Sequence, residues 1–180
     1  GAFISLPAFF FFFLFSILLF FYSAFFKRTV LIGNFVVSLS TAAAFVYGGV
    51  ATGHAEQSLY PALFAFFMHF GREIIKDMED IRGDELQRAM TLPVRFGLLP
   101  AQWLVTFLFL VLAIVTWMPF ALGVYNFYFF LIVLIGVYPV LLYCIVMVWR
   151  RPERRIFHTM SILLKADMFV GLLAILIGRS

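Results

Sequence analysis

The sequence predicts an all-α polytopic membrane protein, a helix bundle with about six transmembrane helices. Three observations carry that prediction. Of the 180 residues, 64% are hydrophobic and 12% charged, with 26 Phe and a mean hydropathy of +1.07. The apolar residues gather into runs of about 20, the length a helix needs to cross the hydrocarbon core of a bilayer. Lys and Arg sit at the ends of those runs, where membrane proteins place them. The net charge of +4 therefore points to a membrane surface and not to nucleic acid.

The runs span 3–26, 30–51, 59–76, 98–118, 126–149 and 159–178. Turn chemistry separates them: Lys27-Arg28, Gly48-Gly49 through Gly53, Gly83 through Pro100, Pro119 with Asn126, and Arg150 to Arg155. In lipid every backbone polar group must be satisfied internally, so each run is a helix or part of a closed barrel. None alternates strictly, which excludes the barrel. The Phe9 to Phe13 run reads as lipid-facing or interhelical packing, and no internal repeat is evident. The single cysteine, Cys144, allows no intramolecular disulfide and reads as a packed small side chain. The chain opens on Gly1 inside an apolar run, without a cleavable signal, so a longer parent is expected.

Placing Lys27-Arg28 inside puts the 77–97 and 150–158 segments inside as well. Of the 13 basic residues, all but Lys165 and Arg179 then share one side, which the positive-inside rule assigns to the cytoplasm. The protein is thus expected in the bacterial or archaeal cytoplasmic membrane, with any site built from these loops facing the cytoplasm.

The chemistry is expected in the block from Arg72 to Asp84. Six of the nine acidic residues (Glu73, Asp77, Glu79, Asp80, Asp84 and Glu85) fall within thirteen positions. Charge at a membrane face is costly and marks a functional site. Arg72, Lys76, Asp80 and Asp84 recur every four residues, so an unbroken helix would carry them along one slowly drifting stripe. Carboxylates at 77, 80 and 84 are hard oxygen ligands suited to Mg²⁺ or Ca²⁺ and not Zn²⁺. A calcium hand fails, because its fifth and sixth positions counted from Asp77 would be Ile81 and Arg82. Mg²⁺ takes one or two carboxylates and lets phosphate oxygens complete its octahedron. Lys76, Arg72 and Arg82 would hold the remaining phosphate charge. The plain alternative is a solvated loop of mixed charge.

Elsewhere, Lys165 and Asp167 lie early in the last run. Lys165 either contacts substrate or snorkels to the interface, and Asp167 ranks below it. His69 reads as an interhelical hydrogen-bonding residue before it reads as a general base. Arg150, Arg151, Arg154 and Arg155 would attract anionic headgroups. Gly71 is expected to permit close helix approach, and Gly83 to end or bend its helix.

The pattern Arg72-x3-Lys76-x3-Asp80-x3-Asp84, continuing through Thr91-Leu92-Pro93, resembles the second aspartate-rich motif of the UbiA-type intramembrane prenyltransferases. That motif usually begins with Tyr. The Arg72 form looks most like the archaeal lipid synthases of the family. Tyr22-Ser23-x3-Lys27-Arg28, followed by Gly33-Asn34, resembles the family's middle helices. The first motif of the family, Asn-Asp-x2-Asp-x3-Asp, has no match here. The family has about nine helices, and its second motif follows the sixth, whereas here it follows the third. The resemblance therefore implies helices four to nine: residues 1–180 form one N-terminally incomplete transmembrane domain, with the second motif in the cytoplasmic loop 77–97.

What the resemblance implies is Mg²⁺-dependent transfer of a prenyl group from an isoprenoid diphosphate to a membrane-associated acceptor. Metal and basic residues would stabilise the departing pyrophosphate, leaving an allylic cation for the acceptor to attack. Asp80 and Asp84 would bind metal, with Asp77 in support, and Lys76 would act with them. Lys27, Arg28, Arg72, Arg82 and Lys165 would contact the diphosphate or the acceptor. The preferred acceptor is a glycerol-phosphate lipid precursor; an aromatic quinone precursor is the alternative. The 180-residue chain alone is expected to be inactive. From another class, the chain could be a transporter or channel component, or a non-catalytic fragment. A transporter, however, would place more charge at mid-membrane.

Overall fold

The computed structural model describes residues 6–24 and 29–178, and within them the chain is helical almost throughout. Helix α1 spans Leu6–Ala24, α2 Ile32–Ala51 and α3 Leu59–Glu79. Two short helices follow, α4 (Ile81–Leu86) and α5 (Leu92–Phe96). Then come α6 (Leu98–Ala121), α7 (Phe127–Ile132), α8 (Tyr138–Arg150) and α9 (Arg154–Gly178). A π-helical turn, Val133–Val137, joins α7 to α8, so that the two cross as one 24-residue rod. Pro139 explains the irregularity: it lacks the N–H that would close the preceding turn, and a π turn absorbs the mismatch.

Among the described residues, α2, α6, the α7–α8 rod and α9 are long and apolar enough to cross a membrane. The six runs read from the sequence correspond to α1, α2, α3, α6, the α7–α8 rod and α9. Large apolar side chains such as Phe107, Ile114, Trp117, Ile135, Phe169 and Leu176 are more than half exposed along these helices. An exposed apolar surface of that extent is a lipid-facing one. The protein is an integral membrane protein.

Helix α3 is the hub. It packs on α2, α6 and α9, whereas α1 packs on α2. The buried face of α3 carries Pro61, Ala62, Met68, Gly71, Ile74, Ile75 and Met78, a stripe at helical spacing. Its partner α2 offers Gly33, Asn34, Ser38, Ala42 and Ala43, small residues that let the two backbones come close. Gly71 does the same toward α6: a Cβ there would run into the ring of Phe109, which is fully buried. In the turn after α6, Asn126 caps α7, its Oδ1 accepting the Phe129 N–H at 3.2 Å. Its own N–H donates to the Gly178 carbonyl at 3.0 Å, tying α9 to the same turn.

Two expectations change. The 77–97 segment is largely helical and not an open loop, because α3 runs on to Glu79 and α4 and α5 follow. The bend falls at Asp80 (φ −112°, ψ 32°), and Gly83 lies inside α4. The carboxylate of Asp80 folds back over Gly83 and takes the place a Cβ would occupy there, so any side chain at 83 would displace it.

Candidate functional site

The break at Asp80 decides how the charged block is arranged. Arg72, Lys76 and Asp77 belong to the last turns of α3, Asp80 is the joint, and Arg82 and Asp84 belong to α4. The joint keeps hydrogen bonds on both sides: the Asp80 N–H donates to the Lys76 carbonyl, and its carbonyl accepts the Asp84 N–H. A single stripe through 72, 76, 80 and 84 therefore does not form. Its two cations and two carboxylates split into separate groups.

The cations gather on Glu73. Lys76 Nζ donates to both Glu73 oxygens, at 3.1 and 3.0 Å, and Arg72 Nη1 reaches Oε1 at 3.2 Å. Arg72 Nε also donates to the Ser161 carbonyl of α9 at 3.3 Å, which anchors its guanidinium across the bundle. Glu73 is 16% exposed, so this cluster is partly shielded from water.

The aspartates are held differently. Asn34 Nδ2, from α2, donates to Asp77 Oδ2 at 2.7 Å. Thr91 Oγ1, just before α5, donates to Asp84 Oδ2 at 3.0 Å. Asp80 is exposed, and no donor among the described residues holds its carboxylate. The three acids are close enough to feel one another: Asp84 repels Asp77, and Asp80 repels Asp84. Burial pushes the Asp84 carboxyl above its ordinary value of 3.8; the Thr91 hydrogen bond opposes that shift and the charge of Asp80 adds to it. No salt bridge neutralises Asp77, Asp80 or Asp84 among the described residues.

No three His, Cys, Asp or Glu side chains among the described residues converge tightly enough to cage a metal ion. The arrangement nonetheless fits Mg²⁺ of the kind completed by a substrate, which needs one or two carboxylates and takes its other ligands from phosphate and water. Asp77 and Asp84 each commit one oxygen to a neutral donor and leave the other without a hydrogen-bond partner among the described residues.

The remaining sequence candidates are scattered. Arg82 is exposed and lines a groove of about 480 Å³ with Glu79, Asp80 and Arg154. Lys165 is exposed on α9. Lys27 and Arg28 lie outside the described residues. Glu79 pairs with His158 Nδ1 at 2.7 Å, joining the end of α3 to the first turns of α9.

Three residues given no role of their own from sequence are drawn in, Asn34, Glu73 and Thr91, and a fourth, Asp167, gains weight. Asn34 could have been flagged as a polar side chain inside an apolar span. Glu73 stood in the motif, but its pairing with both cations needed coordinates. Asp167, ranked below Lys165 from sequence, is the buried one of the two, 2% exposed, with neither carboxylate oxygen hydrogen-bonded among the described residues. It lines an apolar cavity of about 110 Å³ with Phe64, Met68, His69, Leu112 and Phe129. That cavity lies deeper in the bundle than the Arg72–Ser161 contact, since Asp167 follows Ser161 by six residues, about 9 Å of helix.

A bundle of apolar helices with an aspartate-rich joint beside a basic cluster defines a class, the polytopic helical membrane proteins with charge gathered at one end of the bundle. The chain belongs to the UbiA prenyltransferase family, whose profile matches residues 1–173. It is similar to digeranylgeranylglyceryl phosphate synthase of Methanothermobacter thermautotrophicus, at 30% identity over 84% of this chain and 54% of the relative. The enzyme of the same name from Thermococcus kodakarensis is 33% identical over the same shares. A solved structure from work on digeranylgeranylglyceryl phosphate synthase in membranes superposes with a TM-score of 0.89 at 26% identity. It covers 98% of this chain and 63% of that one. The chain thus spans about half the length of the curated relatives it matches.

Proposed function

We propose that this chain forms part of a prenyltransferase that moves a prenyl group from an isoprenoid diphosphate to a glycerol-phosphate lipid acceptor at the cytoplasmic face. The observation that carries the reading is the separation of charge at the α3–α4 joint. Asp77, Asp80 and Asp84 have no salt-bridge partner among the described residues, while Lys76 and Arg72 are drawn to Glu73 alongside. Asp80 and Asp84, with Asp77 in support, would hold Mg²⁺, and Lys76, Arg72 and Arg82 would take phosphate charge that the ion leaves uncovered. When bound, the ion would act as a Lewis acid on the leaving diphosphate. The apolar cavity deeper along α3 and α9 supports an isoprenoid ligand, because its lining offers contact to hydrocarbon almost throughout. The cytoplasmic assignment follows from the basic residues of the α3–α5 and α8–α9 segments lying on one side.

The acceptor is argued from the relatives, whose name describes a glyceryl phosphate bearing two geranylgeranyl groups. The test uses the full-length protein in membranes with labelled geranylgeranyl diphosphate and geranylgeranylglyceryl phosphate. Product should form with Mg²⁺ and fall at least about 100-fold with a chelator, or in Asp80→Asn and Asp84→Asn, the range set by losing a transition-state charge stabiliser. Full activity in both variants would show that the metal assignment is wrong. Transfer only to an aromatic acid would move the acceptor to the quinone precursors.

A further inference from the structure

The two hydrogen bonds that hold the aspartates share a property. Asn34 and Thr91 come from different elements, 57 residues apart, yet each donates to the Oδ2 oxygen of one acid. Both donors are neutral, and both are buried, Asn34 at 8% and Thr91 at 6% exposure. Lys76 is the residue directly before Asp77, yet it turns to Glu73 instead. A salt bridge to Asp77 or Asp84 would fix the carboxylate but cancel the charge that attracts a cation. A neutral donor fixes it and leaves the charge in place.

We propose that Asn34 and Thr91 are positioning residues, neutral donors that aim the free oxygens of Asp77 and Asp84 toward a divalent cation. The inference rests on the Mg²⁺–diphosphate reading above. Each bond removes one of two lone-pair faces from the acid's rotational choice, so the other oxygen meets the ion without paying for reorientation. Partners of this kind behind metal ligands typically contribute 10–100-fold to metal affinity. Glu73 completes the arrangement by keeping Arg72 and Lys76 off the aspartates until a phosphate arrives to compete for them.

The test measures binding of Mn²⁺, a paramagnetic substitute for Mg²⁺, to the full-length protein in nanodiscs by the loss of its free EPR signal. The variants are Asn34→Ala, Thr91→Val and Thr91→Ser, each with a thermal unfolding curve and with Asp84→Asn as reference. Asn34→Ala and Thr91→Val should each weaken Mn²⁺ about 10-fold or more, and Thr91→Ser, which keeps the hydroxyl, should restore binding to within about 3-fold. Unchanged affinity in Asn34→Ala and Thr91→Val, where the wild type binds and Asp84→Asn does not, overturns the positioning role and spares the metal reading. No Mn²⁺ binding by the wild type overturns both. If Asn34→Ala unfolds, the Thr91→Val and Thr91→Ser pair decides.

Discussion

Replacing Gly83 by Ala separates stability from function at the α3–α4 joint. Gly83 lies within α4, and its φ is not in the left-handed region, so alanine suits the backbone. Helix propensity favours the change by up to about 1 kcal/mol. The added methyl, however, would lie 2.6 Å from Asp80 Oδ2 and 2.7 Å from its Cγ, against 3.4 Å for ordinary contact. Asp80 is exposed, with no donor to its carboxylate among the described residues, so the carboxylate swings away by about 1 Å, the shift its nearer oxygen Oδ1 requires, at little energetic cost. A misplacement near 1 Å at a reacting site costs up to about 100-fold in rate. The expectation is a melting temperature unchanged or slightly raised, with prenyl transfer lowered 10–100-fold and the Mg²⁺ requirement shifted to higher concentration. The assay pairs thermal unfolding of the detergent-solubilised full-length protein with labelled prenyl transfer across a Mg²⁺ series. Wild-type turnover in Gly83→Ala, with Asp80→Asn inactive, would refute the claim that the position of Asp80 matters here.

Gly71→Ala should show the opposite signature. Its methyl meets the buried, rigid Phe109 ring, so stability should fall by about 1–3 kcal/mol. Phe109→Leu should recover part of that loss in a double-mutant cycle read by thermal unfolding; strict additivity would mean that the two do not touch. Because the Asp84 carboxyl sits above 3.8, protons should displace a bound divalent cation at a higher pH than from an exposed aspartate. Thr91→Val removes the bond that opposes the shift, so a pH titration of Mn²⁺ release should move further upward. Asp167→Leu should raise the unfolding temperature, since it removes a buried carboxyl without a hydrogen-bond partner among the described residues and fills apolar space, worth about 1–3 kcal/mol. A lower unfolding temperature would mean that the carboxyl is satisfied in the membrane.

The membrane character, the six apolar runs and the density of charge in the Arg72–Asp84 block were legible in the sequence because each rests on local composition. A run of 20 apolar residues has little choice in lipid but to close its own hydrogen bonds as a helix. Carboxylates and cations at short spacing announce themselves whatever the fold. The family resemblance was legible for the same reason, since its motif is contiguous. The stripe was not what periodicity implied, because a single non-helical residue, Asp80, turns the chain between its two halves. Sequence spacing cannot reveal one such dihedral pair.

Pairing was the tertiary structure's decision. Lys76 stands next to Asp77 in the chain but bonds Glu73, one turn back, because helical geometry brings i and i+3 together and sends adjacent residues to different sides. The bond between Asn34 and Asp77 spans 43 residues and exists because small side chains on α2 let it lie close to α3. Between Lys165 and Asp167, local sequence favoured the lysine. Two residues are about 200° of helix, so the same turn that exposes Lys165 to the outside buries Asp167 against the cavity. Local chemistry thus named the acids and the bases, and the packing of α2, α3 and α9 decided which of them meet.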